Sequence, residues 1–215
     1  MQADELSTLL GALAHAEFQD GRVTAGWNAR SVKNNQQMVP GSAQGMDLQS
    51  IIIKAFQRNV AFQVGVRPKM MRPLMFNRYT DGMTYGSHMD DPIMGQNPML
   101  RADVSLTLFL SDPASYEGGE LVIEQSGGDA RFKLPQNHMV VYPATNLHHV
   151  TPVTRGVRLA AVTWVQSMIR DPAQRELLVD LDTAHRNLFN KHGKSRELDL
   201  ISKTLTNLVR RWAEP

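Results

Sequence analysis

The chain has 215 residues, enough for one domain with helical additions and a substantial core. Hydrophobic residues make up 42% and charged residues 20%, and the formal charge is only +2, so the balance points to no nucleic-acid partner; the pI near 9.0 reflects a small Lys/Arg excess. Cysteine is absent, which excludes disulfides, thiolate metal sites and cysteine nucleophiles, and leaves His, Asp and Glu to hold any metal.

The polar, acidic start from Met1 to Glu5 gives no signal peptide. No apolar run approaches the roughly 18 residues of a membrane span, so a cytoplasmic location with no membrane partner is expected. Leu6, Leu9, Leu10, Leu13 and Phe18 fall on one stripe and predict a first helix capped by Asp4. Gly21 and Gly26 interrupt it, and the polar stretch Lys33 to Gln37 shows no clear period, fitting a lid or a loop that closes one end of the fold. A second helix is expected from Asp47, with Ile51, Ile52, Ala55, Phe56 and Val60 inward.

From about residue 62 to 168 the pattern changes to short apolar runs separated by turn residues. Val104 to Leu110 alternates at period two. Leu121 to Glu124 follows Gly118-Gly119, His138 to Tyr142 stops at Pro143, and Val157 to Val165 follows Arg155-Gly156. Such spacing predicts an antiparallel sandwich or jelly roll. Beyond Arg170 the helical period returns. Asp171 caps a helix with Pro172 at its first position and Gly193 as its stop, and Ser195 opens a last helix with Leu198, Ile201, Leu205, Leu208, Val209 and Trp212 on one stripe. The stripes suit a homodimer contact or a cover for the barrel. The twelve methionines read as adaptable packing.

The chemistry concentrates in His88-Met89-Asp90, a later His148-His149 pair and Arg158. Residues i and i+2 of a strand share a face, so His88 and Asp90 present an imidazole and a carboxylate side by side. A third ligand from a distant strand, His148 or His149, completes a facial triad that leaves adjacent positions open on a ferrous ion. On a strand His149 points the opposite way from His148. His15, His138, His185 and His192 have no partner at ligand spacing, and Asp91 reads as a turn residue. Thr154-Arg155-Gly156 is expected to form a three-residue hairpin loop with Gly156 left-handed. That loop pairs Val153 with Val157 and His148 with Val162, and sets Arg158 on the face of His148, roughly 13 Å along the sheet. An arginine there suits the far carboxylate of a diacid chelated at the metal, because its fork binds a carboxylate through two parallel hydrogen bonds. Asp103, Ser105 and Thr107 form the polar face of the Val104 strand and are read as pocket-lining.

Seven segments together resemble a known family: Val32 to Gln37, Phe76-Asn77-Arg78-Tyr79, Tyr85 to Asp90, Leu108 to Pro113, Tyr116 to Leu121, His148 to Arg158 and Trp164 to Asp171. They are similar to the bacterial PKHD-type hydroxylases, which are Fe(II)- and 2-oxoglutarate-dependent dioxygenases related to prolyl 4-hydroxylases. The resemblance implies a mainly β fold with flanking helices, built on a double-stranded β-helix. Residues 1–170 would carry the dioxygenase domain, and 171–215 a helical extension. It implies His88, Asp90 and His148 as Fe(II) ligands, Arg158 as the 2-oxoglutarate anchor assisted by Tyr79, and ascorbate as an accompanying reductant. Relatives usually carry a short strand before the first helix that this sequence lacks, which leaves the sheet edge open. The expected activity is hydroxylation of a peptidyl or small-molecule substrate, with 2-oxoglutarate converted to succinate. The alternatives are a non-catalytic jelly roll that senses iron or 2-oxoglutarate in iron uptake, and a non-redox cupin-like enzyme, which has no use for a diacid anchor.

Overall fold

A computed structural model describes residues 1–39 and 41–215. Helix α1 (Ala3–Ala14) leads to β1 (Phe18–Asp20), two single-turn helices, β2 (Lys33–Asn34) and β3 (Gln36–Met38). Helices α2 (Ala43–Arg58) and α3 (Val60–Val66) follow, then β4 (Pro68–Met71), β5 (Met75–Tyr79), β6 (Thr84–His88), β7 (Ile93–Met94), β8 (Leu100–Arg101) and β9 (Val104–Phe109). The second half contains β10 (Tyr116–Gly118), β11 (Leu121–Ile123), β12 (Ala130–Phe132), β13 (Met139–Pro143), β14 (His148–Val150), β15 (Val153–Gly156) and β16 (Arg158–Ser167). Helices α4 (Pro172–His192) and α5 (Arg196–Trp212) end the chain.

The strands form the two facing sheets of a jelly roll. The major sheet runs β1-β3-β5-β16-β9-β13 with β4 also on β16, and the minor sheet runs β12-β11-β14-β6-β2. Alternation along β9 explains how the major sheet is used. Val104, Leu106 and Leu108 join Leu9, Leu13, Leu48, Ile52, Phe56, Phe62 and Val66 of α1 to α3 in the largest apolar core, while Ser105 and Thr107 take the opposite face. Leu159, Ala161 and Val165 of β16 pack in that same core, so Arg158, Ala160 and Val162 face inward.

Local chemistry moves several boundaries. Gln2, not Asp4, caps α1; its amide donates to Glu5 Oε2 at 2.9 Å, and Asp4 lies in the first turn. Ser42 Oγ accepts from the Gly45 amide and starts α2 four residues before Asp47. Asn59 then caps a separate α3 by accepting from the Phe62 amide, so Val60 stands exposed at a helix start and residues 62–66 are helical, not strand. The Asp171, Pro172, Gly193 and Ser195 signals hold as expected: Asp171 Oδ1 accepts from Ala173, and Ser195 Oγ from Leu198. The edge of the major sheet is filled by β1, which follows α1.

Residues 33–38 are neither lid nor loop. They are the two short strands β2 and β3, one in each sheet, and Lys33, Asn35 and Gln37 are buried at alternate positions. The expected hairpin is also absent. β15 pairs with β10, and β16 lies in the other sheet beside β5 and β9, so Val162 opposes Thr107 and Met75 rather than His148. Gly156 is left-handed, with φ +80°, and a Cβ there would also collide with the Ser115 carbonyl and Tyr116, so both conformation and space call for glycine.

Candidate active site

His88 closes β6 and His148 opens β14, and the antiparallel register sets them directly opposite each other. Such cross-strand pairs bring side chains within about 5 Å. Their ring centroids are 4.3 Å apart. Asp90 follows β6 by two residues, and its Oδ2 is 3.7 Å from His148 Nε2. One donor atom from each of His88, Asp90 and His148 lies within 4.8 Å of the others, and all three side chains are almost wholly buried. His149 points away, to Glu124 on the outer surface at 3.2 Å.

Each histidine is oriented by the same local device. His88 Nδ1 is 2.8 Å from the Gly86 carbonyl, and His148 Nδ1 is 3.1 Å from the Asn146 carbonyl. A carbonyl only accepts, so each Nδ1 carries the proton and each Nε2 presents a lone pair. Tyr85 stacks on His88 at 3.6 Å between centroids, and Tyr142 meets His148 edge-on. Burial, followed by the neighbouring His148, depresses His88 to about 4, which keeps its imidazole neutral at physiological pH. From the major sheet, Ser105 Oγ donates to Asp90 Oδ2 at 2.6 Å and fixes the carboxylate. Two imidazole nitrogens and one carboxylate oxygen, all within 4.8 Å of one another, fit a divalent first-row metal.

Arg158 stands across the gap between the sheets. It is 2% exposed, yet its Nε has no hydrogen-bond partner, and no carboxylate pairs with it among the described residues. Its guanidinium lies 5.1 Å from the Tyr79 ring centroid and 5.4 Å from that of Phe109. Tyr79 is its register partner on β5, and burial raises the phenol so that it stays a donor. Gly119, with φ +65°, makes room for the arginine, since a Cβ there would sit 2.9 Å from Arg158 Cδ. An isolated buried cation is costly, so this arrangement suits an anion arriving from outside the chain.

A cavity of about 680 Å³ joins these parts, lined by Tyr79, Tyr85, His88, Asp90, His148 and Arg158. Thr107 of the polar β9 face also lines it, whereas Asp103 turns aside to pair with Arg101 at 2.7 Å. Three further residues adjoin the site, two of them in the stretch expected to be a lid or a closing loop. Lys33 and Gln37 also line the cavity, a placement signalled only by polar residues at alternate positions, and Gly119 was read merely as part of a turn.

Residues 74–166 match the 2OG-Fe(II) oxygenase superfamily, and residues 172–214 match the PKHD-type hydroxylase C-terminal domain. A PKHD-type hydroxylase of Synechococcus sp. (strain JA-2-3B'a(2-13)) is 52% identical over 98% of this chain and 94% of its own length. This chain belongs to the PKHD-type hydroxylases. Another relative, the PKHD-type hydroxylase tll1907 of Thermosynechococcus vestitus, is 49% identical over the whole of this chain and 96% of its own length. The PKHD-type fold extends to more distant oxygenases. A Trichoplax adhaerens prolyl hydroxylase, solved with a peptide fragment of the hypoxia inducible factor oxygen degradation domain, superimposes with TM-score 0.57 at 15% identity, covering 81% of this chain and 80% of that one. A Pseudomonas putida prolyl-4-hydroxylase gives TM-score 0.54 at 19% identity, covering 78% and 88%. This PKHD-type hydroxylase is therefore an Fe(II)- and 2-oxoglutarate-dependent oxygenase with a double-stranded β-helix core and a C-terminal helical pair. No helix among its described residues is long and apolar enough to cross a membrane.

Proposed function

We propose that His88, Asp90 and His148 hold Fe(II), and that Arg158, assisted by Tyr79, holds the far carboxylate of 2-oxoglutarate, in an enzyme that hydroxylates a peptidyl or small-molecule substrate. Iron and 2-oxoglutarate, when bound, supply the oxygen activation that inserts a hydroxyl and releases succinate and carbon dioxide. The chain's own contribution is positioning and shielding. The Gly86 and Asn146 carbonyls hold both imidazoles with Nε2 inward, and Ser105 fixes the aspartate. Arg158 offers a charged fork and Tyr79 its hydroxyl to one carboxylate. Tyr79, Val150 and Val153 pack together beside the arginine, while Phe109 flanks it, and these apolar groups keep water from the bound diacid.

The observation that carries the reading is a buried, unpaired guanidinium in the same cavity as three converging donors. A metal donor set alone suits many reactions; the added cation calls for a diacid. The cavity is within the range of pockets that enclose drug-sized ligands, so a substrate has room beside a five-carbon cosubstrate. We take residues 1–170 as the catalytic unit and 171–215 as an extension docked on it. Supporting this, α4 packs on α3, and Glu214 pairs with Arg101 at 2.9 Å. A cytoplasmic setting suits a chain that forms no disulfides. The test is succinate release with Fe(II), 2-oxoglutarate and ascorbate as reductant, with and without candidate substrates. No succinate under any condition, from protein that binds both cofactors, would favour a sensor of iron or 2-oxoglutarate.

A further inference from the structure

One buried charge in the cavity has no task in the site just assigned. Lys33, on the edge strand β2, is 5% exposed and lines the cavity. Its ammonium lies 5.0 Å from the Tyr85 ring centroid, and its hydrogen-bond partner is the hydroxyl of Thr24, at 3.1 Å. That hydroxyl donates to Gln37 Oε1, and the Gln37 amide donates to Asn77 Oδ1 at 2.8 Å. The network around Lys33 is therefore neutral, and two of its three N–H groups have no acceptor in it.

The fields of Asp90 and Asp20 offset part of the burial cost, but neither carboxylate pairs with the Lys33 ammonium. Asp20 is held by Arg22 at 2.7 Å, and Asp90 belongs to the proposed iron site. When Fe(II), Asp90, the 2-oxoglutarate dianion and Arg158 are taken together their charges cancel, and Lys33 is left over. Burial lowers Lys33 only to about 8, so it stays mainly protonated at neutral pH. A second cation lies at the cavity mouth. Arg72 packs against the loop at Gly95, where a Cβ would sit 2.5 Å from its Nη1, and it has no ion pair among the described residues. Met46 and Ile93, both more than half exposed, add apolar surface to the cavity lining, beside the exposed Asp91.

We propose that Lys33 anchors an acidic group of the substrate, so that this enzyme selects an acid with an apolar body. The inference rests on the iron and 2-oxoglutarate reading above, and its test separates the two. The protein is loaded anaerobically with Mn(II), which stands in for Fe(II), and saturated with 2-oxoglutarate. Benzoate and benzamide, equal in shape and different in charge, are then titrated while Mn(II)-induced broadening of their proton resonances is followed. A charge-assisted hydrogen bond predicts that benzoate binds about tenfold more tightly than benzamide. Lys33→Met should reduce benzoate to the benzamide level with 2-oxoglutarate affinity unchanged, and Lys33→Arg should retain the preference. Equal broadening by the two probes in the wild type overturns the proposal, whatever the variants do. Weakened 2-oxoglutarate binding in Lys33→Met also overturns it, since Lys33 would then serve the cosubstrate. Failure of the wild type to bind Mn(II) and 2-oxoglutarate removes the underlying site reading as well.

Discussion

The minor sheet places two histidines on neighbouring hydrogen-bonded strands, whereas the major sheet offers Arg158, Ser105 and Tyr79 from three strands across a gap. A ladder holds directly opposed side chains about 5 Å apart, close enough for two of them to share one ion. Two sheets facing each other enforce separation, which is what a chelated diacid needs between its metal end and its guanidinium. The same sandwich thus supplies closeness within a sheet and distance between sheets. Ser105 is where they meet, reaching from β9 to brace the aspartate that follows β6.

Removing a donor from the minor sheet should have the largest effect. His88→Ala is expected to abolish both Mn(II) binding by calorimetry and succinate formation; retained turnover would dissociate the histidine pair from the chemistry. Arg158→Met tests the opposite wall. It should leave metal affinity near the wild-type value and weaken 2-oxoglutarate about 100-fold, within the range for truncating one partner of a buried charge pair. Without ligands the same variant should melt no lower than the wild type, because an unpaired buried cation is gone. A metal affinity that falls in parallel with 2-oxoglutarate affinity would show that the two walls do not act separately. Ser105→Ala addresses the bridge between them, with an expected loss of about tenfold in Mn(II) affinity.

How much of this was readable in the sequence differs between the two walls. His88 and Asp90 were legible because i and i+2 share a face in any strand, wherever the strand sits. Arg158 shares a cavity with His88 and His148, but not through the hairpin that the sequence predicts. Thr154-Arg155-Gly156 reads as a hairpin loop, yet β15 pairs with β10 and the chain crosses to the other sheet. Nothing local distinguishes these outcomes, since a left-handed glycine serves both; the close approach of Ser115 and Tyr116, which leaves no room for a Cβ, is visible only in the fold. The α2–α3 break at Asn59 was hidden by a continuous apolar pattern, and a single side-chain cap decided it. The stretch Lys33 to Gln37 was expected as a lid or closing loop, and its burial at Lys33, Asn35 and Gln37 was not legible because buried alternation is normally sought in apolar residues.

Lys33 also yields the smallest and most discriminating expectation, one of stability. Its ammonium is depressed from 10.5 to about 8, with burial as the first cause, so between those values the unfolded chain binds more protons than the folded one. Stability from this group therefore rises as pH increases from about 8 towards 10.5, and the burial cost is fully present at pH 7. Lys33→Met should then be more stable than the wild type at pH 7 by about 1 kcal/mol, once the lost Thr24 hydrogen bond and Tyr85 cation–π contact offset part of the gain. The advantage should shrink in urea melts of ligand-free protein as pH is raised from 8 to 10. A constant difference across that range would mean the residue is held for its packing, like the aliphatic wall of a core, and not as a charge stored beside the metal pole.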